Sequence, residues 1–218
     1  MSQLSEKERE TLKSVYRLSQ AGEVRGGDLA AALELSPATV TARIKHLTER
    51  GLVEHLPYQS VELTDKGRRA AVSAIRRHRI VERFLSDMLG YPWEEADRLA
   101  VTFEHRLPDE VEHRLFVALD RPTTCPHGFP IPDPDSDHLP VLPPLASLEP
   151  GEEAVVAVPG STDPEVVAFL ETLDLRPGVR VTVREKHPFE GPVVLSVNGQ
   201  DRTIGHKLAR QIFVRETP

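Results

Sequence analysis

The stretch that decides the fold of the amino-terminal part of the chain spans residues 36–51 and reads SPATVTARIKHLTERG. Ser36 suits a helix N-cap and Pro37 suits the first helical position, so the sequence predicts a helix that begins there and ends at Gly51. The apolar residues Val40, Ile44 and Leu47 recur at helical spacing. They predict a buried face, which leaves the opposite face of the helix free to contact a partner.

The sequence on both sides of this helix completes a winged helix-turn-helix pattern. Upstream, the amphipathic pattern of residues 4–20 predicts a first helix, and residues 24–35 predict a second, shorter helix. Downstream, residues 52–55 and 60–64 are extended runs that predict a small hairpin. A tight turn between two helices, followed by a hairpin, is typical of DNA-binding domains. A structural helical bundle could use the same packing, but the capped third helix and the wing together favour DNA binding.

The exposed face of the third helix predicts where DNA would lie. A helix of this kind fits the major groove, with its first residues at base edges and its basic residues at phosphates. The positions that we assign to DNA contact are Ser36, Ala38, Thr39, Thr41, Ala42, Arg43, Lys45 and Arg50. Few of them are long hydrogen-bond donors, so we expect modest base readout and a larger contribution from DNA shape.

The remainder of the chain changes character twice. A long helical pattern covers residues 65–89, and two shorter helices follow at 93–106 and 109–118. Residues 121–144 hold eight of the 19 prolines, which predicts a linker or an irregular arm. Short strands are predicted at 154–158, 180–184, 193–197 and 212–215, with a helical segment at 164–173 and a hairpin turn at Asn198-Gly199. Several short strands in so compact a segment predict a small β-barrel.

Composition excludes several classes of protein. The 218 residues carry a net charge of −7 and a single cysteine, Cys125, which cannot form an intramolecular disulfide or a thiolate-rich zinc site. No signal peptide and no apolar stretch of about 18 residues is visible, so we expect a cytoplasmic protein without a membrane span. Basic and acidic residues are nearly balanced over residues 1–70. The overall acidity therefore does not exclude a local DNA-binding surface.

Potential metal ligands occur at helical spacing in two places. His78 and Glu82 are four residues apart, and Asp97, Glu104 and His105 share one face of the next helix. Imidazole nitrogens and carboxylate oxygens suit Mn²⁺, Fe²⁺, Co²⁺ or Zn²⁺. The alternative is a set of histidine–carboxylate contacts on a solvated surface, because charged pairs at this spacing are common.

The order and spacing of these segments resemble the DtxR/MntR family of metal-dependent transcriptional repressors. The resemblance is carried by residues 36–41, 49–53, 77–85, 103–105, 109–112 and 125–132. It implies a mainly α fold with a small β part. It places a winged helix-turn-helix domain at residues 1–65, a helical dimerisation and metal-binding domain with a proline-rich arm at 66–144, and an SH3-like, FeoA-like barrel at 145–218.

The resemblance also implies two metal sites per subunit. The ancillary site falls on His78, Glu82 and Asp97, with Asp163 or Glu165 of the barrel as a further ligand. The primary site falls on Glu10, Glu104 and His105, with Val101 able to contribute only its backbone carbonyl. A metal ion that bridges Glu10 and Glu104 is then expected to fasten the first helix to the middle helices, and so to fix the recognition helices of a dimer.

The expected function is repression of metal-homeostasis genes by a homodimer that binds a double-stranded DNA operator, with no enzymatic activity. Oxygen-rich ligands favour Mn²⁺ as co-repressor. The absence of a carboxylate at Val101 keeps Fe²⁺ as the alternative, and Lys13 stands where manganese-responsive members can have an acid. A metalloenzyme is a remote alternative, since the sequence has no HExxH pair and no nucleophile–base constellation. A further alternative is a regulator that senses an organic effector or redox state through Cys125.

Overall fold

The computed structural model describes residues 4–20, 22–55, 60–158 and 164–216, leaving out the side chains of His55, Glu94, Pro164, Glu165 and Val167. It contains two compact units. The first comprises residues 1–125 and 130–140, and the second comprises residues 126–129 and 141–218. The first unit is mainly helical, whereas the second is built around a β-sheet.

The first unit begins with the predicted winged helix-turn-helix, which the structure confirms. Its elements are α1 (Glu6–Ser19), α2 (Gly26–Ala32), α3 (Pro37–Glu49), β1 (Val53–His55) and β2 (Val61–Leu63). The two strands are antiparallel, with Val53 opposite Leu63. The tip of the predicted hairpin lies outside the described residues.

Local sequence signals determine where these helices begin. The Ser36 hydroxyl accepts a hydrogen bond from the Thr39 backbone N–H at 3.2 Å, and Pro37 follows at the first helical position. Ser5 and Glu8 form a reciprocal capping box at the start of α1. The apolar faces of the three helices then meet in one core, which includes Leu12, Val15, Leu29, Val40, Ile44, Leu47 and Leu52. Burying one such side chain contributes about 1.5–3 kcal/mol, so the amphipathic pattern fixes the packing.

Three further helices follow the wing. They are α4 (Asp65–Asp87), α5 (Trp93–Glu104) and α6 (Asp109–Ala118). At Gly67, in the first turn of α4, a Cβ atom would lie 1.8 Å from the carbonyl oxygen of Leu52, so the helix begins in direct contact with the backbone that follows α3. Leu85 of α4 packs with Ala96 and Ala100 of α5. None of the described helices combines the length and apolar character that crossing a bilayer would require.

Residues 130–140 of the proline-rich segment belong to the first unit and form an irregular arm within it. The Arg76 guanidinium donates to the carbonyl of Pro132, and the Arg79 guanidinium donates to the carbonyl of Pro130. The backbone N–H of Leu139 donates to the Tyr16 hydroxyl at 2.8 Å. A proline-rich backbone has few N–H groups of its own, so these carbonyls find their donors on buried arginines of α4.

The second unit confirms the predicted small β domain. Its elements are β3 (Glu153–Val158), α7 (Pro164–Thr172), β4 (Arg180–Lys186), β5 (Val193–Val197), β6 (Gln200–Ile204), α8 (His206–Ala209) and β7 (Phe213–Arg215). The strands pair antiparallel in the order β6-β5-β4-β3-β7. Asn198 and Gly199 have φ of 51° and 78°, as a tight hairpin turn requires. The sequence predicted neither β6 nor α8. Strand β6 is a polar edge strand with one buried apolar residue, Ile204. Helix α8 is only four residues long.

Candidate metal centre and DNA-binding surface

A cluster of ionisable side chains lies between α4 and α5. His78 is buried, with its Nε2 atom 2.9 Å from Asp97 Oδ1 and its Nδ1 atom 2.8 Å from Glu104 Oε2. Glu82 lies one turn further along α4. One donor atom from each of His78, Glu82 and Asp97 lies within 4.8 Å of the other two. The structure therefore brings together the three residues that the sequence assigned to the ancillary site, and we call these three residues the trio.

The environment of His78 favours a positive charge. Carboxylates only accept hydrogen bonds, so two carboxylate contacts require a hydrogen on each ring nitrogen. Burial alone would lower the pKa of His78, but the hydrogen bonds to Asp97 and Glu104 outweigh it and raise the pKa above its usual value. A metal ion could bind a ring nitrogen of His78 only in place of the hydrogen on that nitrogen.

The donor chemistry of the trio fits a divalent metal ion. It offers one imidazole and two carboxylates, a set that suits Mn²⁺, Fe²⁺, Co²⁺ and Zn²⁺. A metal-binding histidine usually donates its other ring N–H to a carboxylate, which fixes the orientation of the ring. Glu104, at His78 Nδ1, is placed for that orienting role.

Glu104 also joins α5 to α1. The residue is 1% exposed, and its Oε1 atom lies 2.6 Å from the Lys13 ammonium while Oε2 contacts His78. The Arg9 guanidinium donates to the Glu104 backbone carbonyl at 3.0 Å. Burial would raise the pKa of Glu104, but His78 and Lys13 hold it below its usual value. The carboxylate is therefore ionised, with both oxygens paired.

The structure does not bring the three predicted primary ligands together. Among the described residues, the donor atoms of Glu10, Glu104 and His105 do not gather within 4.8 Å of one another. Glu10 Oε2 lies 2.7 Å from the Arg43 guanidinium. His105 Nε2 is 3.5 Å from Glu6 Oε1, and neither ring nitrogen makes a hydrogen bond to a described residue. These residues do not fit a metal ion in this arrangement.

The remaining predicted ligands contribute little to the described site. Val101 is partly exposed on α5, and its side chain has no donor atom. Asp163 lies outside the described residues, as does the side chain of Glu165, so their role stays a prediction. Sequence reasoning did not single out Arg9. The only available signal was its i,i+4 spacing from Lys13 on a helix whose other face is apolar.

The predicted DNA-contacting residues occupy the outer face of α3. Ala38, Thr39, Thr41, Ala42 and Lys45 are exposed, opposite the buried face of the helix. Ser36 is exposed at the N-cap, where its hydroxyl contacts the Thr39 hydroxyl at 2.8 Å. The face is therefore small and polar at its beginning and carries a basic residue in its middle, as expected of a helix that enters the major groove.

The two arginines of this set are paired with acidic residues of α1. Arg43 contacts Glu10, and Arg50 forms an ion pair with Glu8. His46 Nε2 is also 3.1 Å from Glu8 Oε1. Burial would raise the pKa of Glu8, but hydrogen bonds from Ser5 and Arg50 lower it to about 2. Helix α1 thus contacts the recognition helix through Glu8 and Glu10, and contacts α5 through Arg9 and Lys13.

A winged helix-turn-helix whose first helix contacts a buried histidine–carboxylate cluster defines a class of protein, the metal-responsive DNA-binding regulators. Three family models match the chain in order. The model of the iron dependent repressor N-terminal DNA binding domain matches residues 3–61. The model of the iron dependent repressor metal binding and dimerisation domain matches residues 64–133. The model of the FeoA domain matches residues 144–216. The chain belongs to the DtxR/MntR family of metal-dependent transcriptional repressors.

Relatives match almost the whole chain. The iron-dependent repressor IdeR of Mycobacterium tuberculosis is 31% identical over 220 residues, covering 94% of this chain and 95% of its own. A solved structure described as a manganese-dependent transcriptional repressor in complex with manganese is 31% identical, with a TM-score of 0.81, and the match covers 96% of this chain and 100% of that one. The structure of T. acidophilum IdeR is 27% identical, with a TM-score of 0.76 and full coverage of both chains. The relatives therefore include proteins named for iron and for manganese.

Proposed function

We propose that this protein is a cytoplasmic homodimer that represses metal-homeostasis genes when Mn²⁺ occupies the trio. The observation that carries the proposal is the grouping of His78, Glu82 and Asp97 within 4.8 Å, in a protein whose amino-terminal domain binds DNA. We place the domain boundaries near residues 65 and 144. The operator is double-stranded DNA, contacted by the outer face of α3 and the basic side chains around it.

The donor set favours Mn²⁺ over Fe²⁺. Two of the three donors of the trio are carboxylate oxygens, and none is sulfur. Val101, where a thiol or a carboxylate would add a ligand, has neither. Oxygen donors suit a hard ion such as Mn²⁺, whereas sulfur donors favour softer metals.

A divalent ion bound at the trio would supply positive charge between the carboxylates of α4 and α5. The chain's own residues connect that position to the DNA-binding surface. Lys13 and Arg9 hold α1 at the end of α5, while Glu8 and Glu10 hold α3 through Arg50 and Arg43. Recognition helices of a dimer must lie about 34 Å apart to enter successive major grooves. The packing of α4 against α5 therefore influences whether both helices can bind at once.

Fe²⁺ is the second candidate for the co-repressor. It is supported by the M. tuberculosis relative, which is named an iron-dependent repressor, and by two family models described as iron dependent. Imidazole and carboxylate donors also accept Fe²⁺. The donor set therefore favours Mn²⁺, whereas the relatives include proteins named for iron and for manganese.

The experiment that tests the proposal is an operator-fragment titration under anaerobic conditions. Chelator-stripped protein is titrated separately with Mn²⁺ and Fe²⁺, and fragment binding is followed by fluorescence anisotropy. We expect half-maximal binding at a lower free concentration of Mn²⁺ than of Fe²⁺. Half-maximal binding at a lower free concentration of Fe²⁺ would show that iron, not manganese, is the co-repressor. Equal binding with either metal and with chelator would refute the metal dependence itself.

A further inference from the structure

We infer that Lys13 supplies the positive charge that a second metal ion would otherwise supply at Glu104, so that a divalent ion binds at the trio and none binds at Glu10, Glu104 and His105. The inference rests on the proposed function for the trio itself. It differs from the sequence-based expectation of two sites per subunit. It also makes the attachment of α1 to α5 independent of metal.

The first argument is the geometry of the Lys13–Glu104 pair. The Lys13 ammonium is 2.6 Å from Glu104 Oε1, and the two side chains are 10% and 1% exposed. His78 occupies the other carboxylate oxygen. The Lys13 ammonium and the His78 ring N–H thus already satisfy both oxygens of the buried carboxylate. Breaking a buried pair by removing one partner costs much more than an exposed pair contributes.

The second argument concerns what a second ion would have to displace. An ion at Glu104 would lie beside the Lys13 ammonium, and like charges a few ångströms apart repel strongly in a buried site. Glu10 would have to leave the Arg43 guanidinium, which it contacts at 2.7 Å. His105 would remain as the only described residue of the predicted primary site whose donor atoms make no hydrogen bond. One imidazole with a single exposed carboxylate near it, that of Glu6 at 3.5 Å, does not make a metal site.

The third argument is that α1 has a second anchor that involves no metal. The buried Arg9 guanidinium donates to the Glu104 backbone carbonyl at 3.0 Å. Arg9 and Lys13 are four residues apart and therefore lie on one face of α1. Together they attach α1 to the last residue of α5 through both its side chain and its backbone. A divalent ion at the trio then acts on the α4–α5 packing, while the α1–α5 contact is already in place.

The test is the number of Mn²⁺ ions bound per subunit by the full chain, measured by equilibrium dialysis and elemental analysis. We expect one ion for the wild type. Asp97→Asn, at a carboxylate whose side chain is 56% exposed, should weaken its binding at least tenfold. Glu10→Gln and the matched control Glu95→Gln should each leave one ion bound with unchanged affinity. Two ions per wild-type subunit, or loss of the ion in Glu10→Gln, would overturn the inference.

Hydrogen exchange tests the metal-independent attachment. Backbone amides of α1 in the wild type should exchange at rates within twofold of one another in chelator and in Mn²⁺. Lys13→Gln should speed their exchange at least tenfold, and the double variant Lys13→Gln/Glu104→Gln should recover part of the protection because no buried charge is left unpaired. Lys7→Gln, an exposed lysine on the same helix, is the control. Protection of α1 that appears only with Mn²⁺ would contradict the inference.

The outcomes separate this inference from the proposed function. Two ions per subunit together with metal-dependent operator binding would leave the function standing and remove the role of Lys13. One ion per subunit together with equal operator binding in chelator and in Mn²⁺ would support the role of Lys13 and refute the function.

Discussion

Replacing Glu8 by Gln should destabilise the protein near neutral pH, and the effect should shrink in acid. Glu8 is 6% exposed and accepts hydrogen bonds from the Ser5 backbone N–H at 2.7 Å and the Ser5 hydroxyl at 2.8 Å, and it pairs with Arg50. These contacts lower its pKa from 4.5 to about 2, against the effect of burial. The difference corresponds to about 3 kcal/mol of unfolding free energy at about 1.4 kcal/mol per pH unit.

The pH dependence follows from the direction of that change. Because the folded-state pKa lies below the unfolded one, the stabilisation is fully present above pH 4.5 and is lost as the pH falls towards 2. The unfolding free energy of the wild type should therefore exceed that of Glu8→Gln by about 2–3 kcal/mol at pH 7. At pH 3 the excess should be about half of that. Glu49→Gln, an exposed glutamate on α3, should give a difference within about 0.5 kcal/mol at either pH.

The assay is urea unfolding followed by circular dichroism at pH 7, 4.5 and 3. The variant should also weaken the contact between α1 and the end of α3, because Arg50 and His46 both pair with the Glu8 carboxylate. A difference that is the same at pH 7 and pH 3, or below about 0.5 kcal/mol at pH 7, would refute the reasoning.

Three other substitutions give separate expectations. Gly67→Ala places a Cβ 1.8 Å from the Leu52 carbonyl oxygen and should lower the unfolding free energy by about 1–3 kcal/mol, so an unchanged Tm would contradict the close approach. Lys45→Ala, on the exposed face of α3, should weaken binding to all DNA sequences alike and reduce the slope of log affinity against log salt by about 1, and an unchanged slope would exclude a phosphate contact. Glu10→Gln releases the Arg43 guanidinium and should strengthen nonspecific DNA binding by about threefold at low salt, whereas weaker binding would show that Glu10 positions Arg43 for DNA.

Local signals allowed most of the fold to be predicted. The start of α3 follows from an N-cap serine and a proline, and its buried face follows from three apolar residues at helical spacing. The predicted edges of α4 and α5 extend only one or two residues beyond the observed helices, which is the usual scatter at frayed ends. Strand β6 was not predicted because a polar edge strand has no alternating apolar pattern.

The candidate site was only partly accessible from the sequence. Helical spacing paired His78 with Glu82 on α4 and grouped Asp97 with residues of its own helix, whereas the resemblance to the family was needed to bring the trio together. The partners of Glu104 and Glu10 depend on long-range packing. Lys13 is 91 residues from Glu104, and Arg43 is 33 residues from Glu10. No local pattern indicates that a lysine will reach a buried carboxylate that distant in sequence, or that a recognition-helix arginine will turn back to α1.

The most direct measurement of metal-dependent repression is the operator affinity of the full-length wild type and of Asp97→Asn, each in chelator and in saturating Mn²⁺. The wild type should bind at least 100-fold more tightly with Mn²⁺ than with chelator, which corresponds to about 2.7 kcal/mol of coupling. Asp97→Asn should lose most of that gain, while Glu95→Gln should keep it. Equal affinities of the wild type in chelator and in Mn²⁺, or a full metal response in Asp97→Asn, would contradict the assignment of the metal to the trio.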